Sequence, residues 1–495
     1  MASKLTDERY ISGRVSSLAE HEFTAILPLK EIVRKATATF THGDIDCGEG
    51  HTVRIDRQKM EKLYSAFPAV AQDDAVKELL QPAQGKGVVI WGAGNVGLNA
   101  AENVKQMGAT NVAFIDISDA VLTNAAAQYG GEKIAVSKNI TPAEKERIMS
   151  LLASDKVHAL NIGVLLPGDK APQLLSREDL TRINTQRAEK GLPALIIADA
   201  AIDQGGCVEG EKATTHDCPI RVIAGSPVIS VANVPGSRYT AGYASKLLQE
   251  ATLDDLKKII LATAFGWDKV FADDPTLKTA INTMGGKITY PKVSEVFNQN
   301  PSSTVDEAVD GAPKPVGKKV KLAIPAAIKA FEHRAGILPT GVEELLRWAP
   351  TQGIDLEVGL DVRLGEGIVP TPGVEEISTE AYERAGGKIY NHRHELMAGA
   401  NVLHFTKEPQ GDELQYIEPG SAVHTYFHYT GFPEKLVKWA LDKNITSVAF
   451  ETREDAQGKL PCLKPMSHVD GRSNTLIIGA LFNPEIMELK KPSNS

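Results

Sequence analysis

The chain has 495 residues, 42% hydrophobic and 24% charged, the balance of a globular protein with an ample core and roughly two to four domains. Its formal net charge of −9 argues against nucleic acid as a main partner, which would favour a basic face. The four cysteines, Cys47, Cys207, Cys218 and Cys462, form no C-x-x-C pair, so neither a zinc ribbon nor a redox pair is suggested, and free thiols in a reducing cytosol are expected. The first residues, MASKLTDERY, carry no apolar signal-peptide core. No apolar run approaches the roughly 18 residues of a membrane helix. The expectation is a cytoplasmic protein without a membrane partner.

Residues 1–85 are mixed and form an N-terminal extension of unassigned role. A strand or short helices are expected over 19–40, helices in RQKMEKLYSAF and DDAVKELLQ, and a polar loop in HGDIDCGEGH, 42–51. From residue 86 strands and helices alternate. KGVVIWG is an apolar run ending in glycine, NVGLNAAENVKQMG is helical, and NVAFIDI is a strand. TPAEKERIMSLLAS opens with Thr141 as N-cap and Pro142 at the first helical position. VHALNIGVLLPG, PALIIADAAIDQGG, RVIAG and PVISVANVPG are further strands running into glycine-containing loops. This is the pattern of a parallel sheet with crossover helices, so 86–235 is expected to be a Rossmann-type doubly wound domain. Residues 236–299 read as a helical joining segment, and 300–318 as a linker rich in Pro, Ser, Asp and Gly. Strands and helices resume over 319–495, predicting a second α/β domain that holds the substrate.

Gly92, Gly94 and Gly97 form G-x-G-x-x-G between a strand and a helix. Such a loop turns tightly at its first glycine, admits a pyrophosphate at its second and packs helix on strand at its third. Asn95 and Val96 would sit at the helix N-terminus, whose N–H groups and partial positive charge suit phosphate. Asp116 ends the next strand at the spacing of about 20 residues where a carboxylate binds the ribose hydroxyls. A carboxylate there repels a 2′-phosphate, so the expected cofactor is NAD.

With this loop, LNIGVLLPGDKAP (160–172), ADAAIDQGGCVEG (198–210) and VANVPGSRYTAGYAS (231–245) closely resemble the alanine dehydrogenase family, which includes the NAD(H)-binding part of proton-translocating transhydrogenase. KLAIPAAIKAFEHRAGILPTGVEELL (321–346) resembles the start of such a chain. NVLHFTKEP (401–409), AVHTYFHYTGFP (422–433) and ITSVAFETREDAQGKLPCLKPMSHVDGR (445–472) follow in the family's order. The family's N-terminal half therefore stands behind its C-terminal half, as in a circular permutation, with 300–320 joining the old ends. Termini that lie together at the surface permit this.

The resemblance implies an NAD-dependent oxidoreductase acting on an amino-acid CH–NH2 group: reversible oxidative deamination of a small L-amino acid, such as alanine, to a 2-oxo acid and ammonia. It also implies a homo-oligomer. Arg334 and Lys407 match the family's residues that bind the oxo acid, and their chemistry agrees: a planar fork for a carboxylate and a point cation that polarises a 2-oxo oxygen. Either alone is more often a surface ion-pair residue. His428 matches the catalytic histidine, a group able to pass protons near neutrality, with His424 as a decoy. Asp203 matches the catalytic aspartate that orients ammonia or water. Asn233, Val234 and Pro235, with Met466 and Ser467, would line the nicotinamide. His468 stands where the family usually has an acidic residue. That departure leaves room for an opine-type dehydrogenase joining a 2-oxo acid to an amino-acid amine. A non-catalytic NAD-binding regulatory protein is the alternative from another class. Transhydrogenase fits less well, since it needs membrane partners. Two clusters, His42/Asp44/Asp46/Cys47/Glu49/His51 and His392/His394/Glu395, match no metal-ligand spacing, and no metal is expected.

Overall fold

The computed structural model describes residues 44–67, 72–164, 170–297, 302–329, 331–431 and 434–491. The elements expected over 19–40 lie outside the described residues, as does His42. The loop expected at 42–51 is instead a hairpin, β1 (Ile45–Gly48) and β2 (His51–Ile55). Cys47 and Val53 point inward at 4% and 0% exposure, while Glu49 and Gly50 supply the positive-φ turn. The polar flanks hide this period-2 signal in the sequence.

The first large sheet holds β3 (Gly87–Trp91), β4 (Thr110–Asp116), β5 (Glu132–Ala135), β6 (Ala159–Ile162), β7 (Ile196–Asp199), β8 (Ile220–Ile223) and β9 (Ser226–Ile229), in the order β5-β4-β3-β6-β7-β9-β8. All pairings are parallel except β8 with β9. The strands read as unbroken apolar runs because helices cover both faces. Strand order reverses between β3 and β6, which places the glycine loop after β3 at the topological switch, where such sheets hold ligands.

The second sheet holds β10 (Ile281–Met284), β11 (Lys287–Ile288), β12 (Lys319–Ile324), β13 (Asp355–Asp361), β14 (Lys388–Tyr390), β15 (Val402–His404), β16 (Ala422–Thr425) and β17 (Thr446–Ala449), in the order β11-β10-β17-β16-β15-β12-β13-β14. From β12 to β17 the strands are parallel. Its switch point lies between β12 and β15, so the segments that follow β12, β15, β16 and β17 gather at one edge.

Packing adds detail at three of the expected segments. Segment 236–299 is helical over Ala241–Phe265, yet its strands β10 and β11 extend the second sheet. Segment 300–318 is not a free linker: Thr304 and Glu307 form a capping box on a helical turn, Val305–Ala308, whose two ends are 8% and 0% exposed. The helix Lys464–Phe482 leaves the second domain and packs on the helix Asn95–Gln106, where a Cβ on Gly471 would meet the Val96 carbonyl at 2.2 Å. No helix of the described residues is long and apolar enough to cross a membrane.

The last strand, β18 (Met487–Lys490), pairs antiparallel with β2, so the two ends of the described chain zip together beside the first sheet. Ile486 and Met487 are 0% and 1% exposed. Removing residues 484–495 is expected to lower the thermal-unfolding midpoint by several degrees. Two buried apolar side chains contribute about 1.5–3 kcal/mol each. An unchanged midpoint in a calorimetric scan would show that this strand is dispensable.

Candidate active site

Between β3 and the helix Asn95–Gln106, two glycines of the loop are sterically required. Gly92 has φ 93°, and a Cβ there would meet Gly163 at 2.7 Å. A Cβ on Gly97 would meet the Gly92 carbonyl oxygen at 2.0 Å. Gly94 faces open space, with nothing within 4 Å of its would-be Cβ, and it heads the helix without a side-chain cap. Asn95 is exposed and Val96 half-buried at this N-terminus. The result is an open cradle lined by backbone N–H groups, suited to a phosphate. The Asp116 carboxylate accepts from the Ala93 N–H (2.8 Å) and the Ser118 N–H (2.9 Å), which fixes the loop. A carboxylate has about four acceptor sites, so capacity remains for two ribose hydroxyls.

Asp203 lies in the 3-10 segment Ala200–Gln204 just past β7; its side chain is outside the described residues. Asp199 anchors that segment, accepting from Ala201 N–H (2.8 Å) and Cys207 N–H (2.5 Å). Burial and the facing Asp199 push the Glu211 carboxyl up.

Across the cleft, Arg334 follows β12 and is 3% exposed. Its Nε and Nη2 donate to both carboxylate oxygens of Glu332, at 2.8 and 2.5 Å. Nη2 also donates to the Asn233 Oδ1 at 3.0 Å, and Nη1 to the Met466 Sδ at 2.7 Å. Asn233 holds φ 72° at the end of the first domain's last loop, with Val234 buried beside it. The guanidinium thus ties the loop after β12 to both segments expected to line a nicotinamide. Its weakest partner is the thioether, the acceptor a substrate carboxylate would displace. Burial pushes the Glu332 carboxyl up, but Arg334 and Lys407 more than offset this and hold it below the ordinary range. Lys407, 8% exposed after β15, therefore stands within electrostatic reach of the same pair. Ser467, 9% exposed, is beside Met466 on the helix Lys464–Phe482.

His428 follows β16 and is half-buried with φ 47°, a conformation that costs a non-glycine residue about 1 kcal/mol or more. Two contacts hold it there. Its backbone N–H, with that of Phe427, donates to the Glu451 carboxylate at 2.6 and 3.2 Å. Its ring stacks on Tyr426 (centroids 5.6 Å, planes 6° apart), whose hydroxyl is fixed on the Cys462 carbonyl at 2.6 Å. Sequence reasoning missed Glu332, Glu451 and Tyr426. Each is two or more residues from the group it serves, and only the fold shows the pairing. The acidic residues of the 44–51 hairpin serve as anchors: Asp44 pairs with Lys490, and Glu49 pairs with Arg177 and accepts from Ala224 and Gly225.

Residues 80–291 match the C-terminal domain of the alanine dehydrogenase/PNT family, and residues 323–470 match its N-terminal domain. The chain belongs to this family. Its two domains stand in reversed order, C-terminal domain first, so the chain is a circular permutation of the family's usual arrangement. It is 34% identical over 211 residues to the alanine dehydrogenase of Halomonas elongata, covering 42% of this chain and 51% of that one. It is 33% identical over 221 residues to the alanine dehydrogenase of Methanococcus maripaludis, covering 44% and 52%. The chain thus matches about half the length of these relatives. Among solved structures, an L-alanine dehydrogenase aligns with TM-score 0.36 and 24% identity over 48% of this chain and 63% of that one. A transhydrogenase from Sinorhizobium meliloti aligns with TM-score 0.27 and 23% identity over 38% and 52%.

Burial pushes the Glu451 carboxyl up to about 7 although three backbone N–H groups favour its charged form. In the unfolded chain it titrates near the ordinary 4.5. The folded state therefore holds this proton longer, and the associated stability is full below about pH 4.5 and lost as pH rises toward 7. Glu451→Gln removes that loss. The urea midpoint of the variant relative to the parent protein is expected to move in the variant's favour between pH 5 and 8. A pH-independent difference would contradict the assignment.

Proposed function

We propose that the chain is an NAD-dependent dehydrogenase of a small L-amino acid, interconverting the amino acid and water with the 2-oxo acid and ammonia. The observation that supports this reading is the buried Arg334 guanidinium, which bonds Asn233 and Met466 at once, so that its Nη1 stands beside the cofactor loops with only a thioether for a substrate carboxylate to displace. The open cradle at Gly94 and the Asp116 carboxylate fit a dinucleotide with a free 2′-hydroxyl. Bound there, NAD supplies the hydride acceptor. Arg334 and Lys407 hold the substrate carboxylate and the 2-oxo oxygen, and that orientation provides much of the rate gain. His428 takes a proton from water adding at the imine carbon and returns it as ammonia leaves. Asp203 orients the water or ammonia. Glu332 offsets part of the combined positive charge of Arg334 and Lys407.

Lys407→Ala and His428→Ala are each expected to lower NADH oxidation with pyruvate and ammonium by at least about a hundredfold, with NADH affinity unchanged by fluorescence titration. Full activity in either variant would remove that residue from the site.

A further inference from the structure

Beneath the substrate loops lies a histidine pair that the proposed reaction does not use. His404 ends β15, and His424 stands beside it in register on β16. Each is 1% exposed. Their Nδ1 atoms are 3.1 Å apart, and the His404 Nε2 is 2.9 Å from the Gly336 carbonyl oxygen. Gly336 leaves room for this ring: a Cβ there would meet the His404 Cδ2 at 3.0 Å.

The contacts admit one arrangement of protons. A carbonyl only accepts, so the His404 Nε2 carries a hydrogen. Burial pushes His404 down to about 4 and His424 well below its ordinary value, so both rings are neutral at pH 7. A neutral ring with hydrogen on Nε2 has a bare Nδ1. The His424 Nδ1–H therefore donates to it, and polarity runs His424 to His404 to Gly336.

This short chain joins the substrate-side elements. Gly336 is two residues beyond Arg334, His404 three before Lys407, and His424 four before His428. The His424 ring meets Phe450 edge-on (4.4 Å, 85°), and Phe450 precedes Glu451. Phe450 in turn meets Tyr426 (4.8 Å, 90°), on which His428 stacks. The Thr406 hydroxyl adds a bond to the Arg334 carbonyl at 3.4 Å.

We propose that His404 and His424 are positioning residues, a proton-ordered imidazole pair that sets the Arg334 loop against the loops of Lys407 and His428 so that the substrate carboxylate is gripped. This role rests on the dehydrogenase reading above. The kinetic test compares His424→Phe, which keeps bulk and ring packing but removes the donor, with His424→Asn, whose amide N–H replaces the Nδ1–H. The Phe variant is expected to raise KM for pyruvate about tenfold or more at unchanged NADH affinity, and the Asn variant to recover KM to within about threefold of the parent. Parental KM in the Phe variant, or equal damage in both, would overturn the positioning role.

The second readout needs no turnover. Imidazole 15N spectra of the histidine-labelled protein are expected to show His404 as the Nε2–H tautomer and His424 as the Nδ1–H tautomer. Other tautomers, or a charged ring, in an active enzyme would overturn the pair alone. The expected tautomers in a protein that turns over no 2-oxo acid would overturn the reaction, and the positioning role with it.

Discussion

Gly97→Ala is expected to abolish NADH binding while leaving the second sheet folded. The added Cβ would sit 2.0 Å from the Gly92 carbonyl oxygen and 3.0 Å from its carbon, both backbone atoms that no rotamer change can move. The helix Asn95–Gln106 would have to lift off β3, carrying the N–H groups at its N-terminus away from the phosphate position. Gly471 packs closely against Val96 and Ala100 on the flank of that helix, so any shift of the helix also disturbs its contact with Lys464–Phe482. A loss of at least about a hundredfold in NADH affinity follows from misplacing so many phosphate donors together. Equilibrium fluorescence titration measures it, with far-UV circular dichroism to confirm folding. Wild-type affinity in the variant would mean that this loop is not the cofactor site.

Arg334→Lys is the second large effect. Lysine keeps the charge beside Glu332, so the buried carboxylate is not stranded, but it loses the fork that reaches Glu332, Asn233 and Met466 simultaneously. Losing a buried charged contact to substrate costs about 2–4 kcal/mol, so kcat/KM for the 2-oxo acid is expected to fall roughly 30- to 1,000-fold. NADH affinity should hold. Steady-state kinetics against pyruvate, with NADH titrated separately, makes the distinction. An unchanged kcat/KM would remove Arg334 from substrate binding.

The parallel strands were legible because burial on both faces writes them as continuous apolar runs, as in Gly87–Trp91, where all five residues are buried. The permutation was legible because motifs keep their identity when their order changes. The β1–β2 hairpin was not legible: only Cys47 and Val53 are fully buried, with Ile45 and Ile55 half-buried beside them among charged neighbours. The allegiance of Lys464–Phe482 was not legible either. The helix follows the second domain in sequence, yet its glycines seat it on the first. Arg334, Lys407 and His428 stood out by residue type and motif. Their partners did not, because Glu332 and Glu451 are ordinary acids until the fold turns them inward. His424 looked like a spare copy of His428; its pairing with His404 depends on strand register, which no local pattern reveals.

The decisive measurement is NADH oxidation by the purified protein with pyruvate, once with ammonium and once with amino acids as the amine donor. Turnover with ammonium is expected, lost in Lys407→Ala and His428→Ala. NADH bound tightly with no turnover of any 2-oxo acid, or turnover with amino-acid donors alone, would contradict the proposed function.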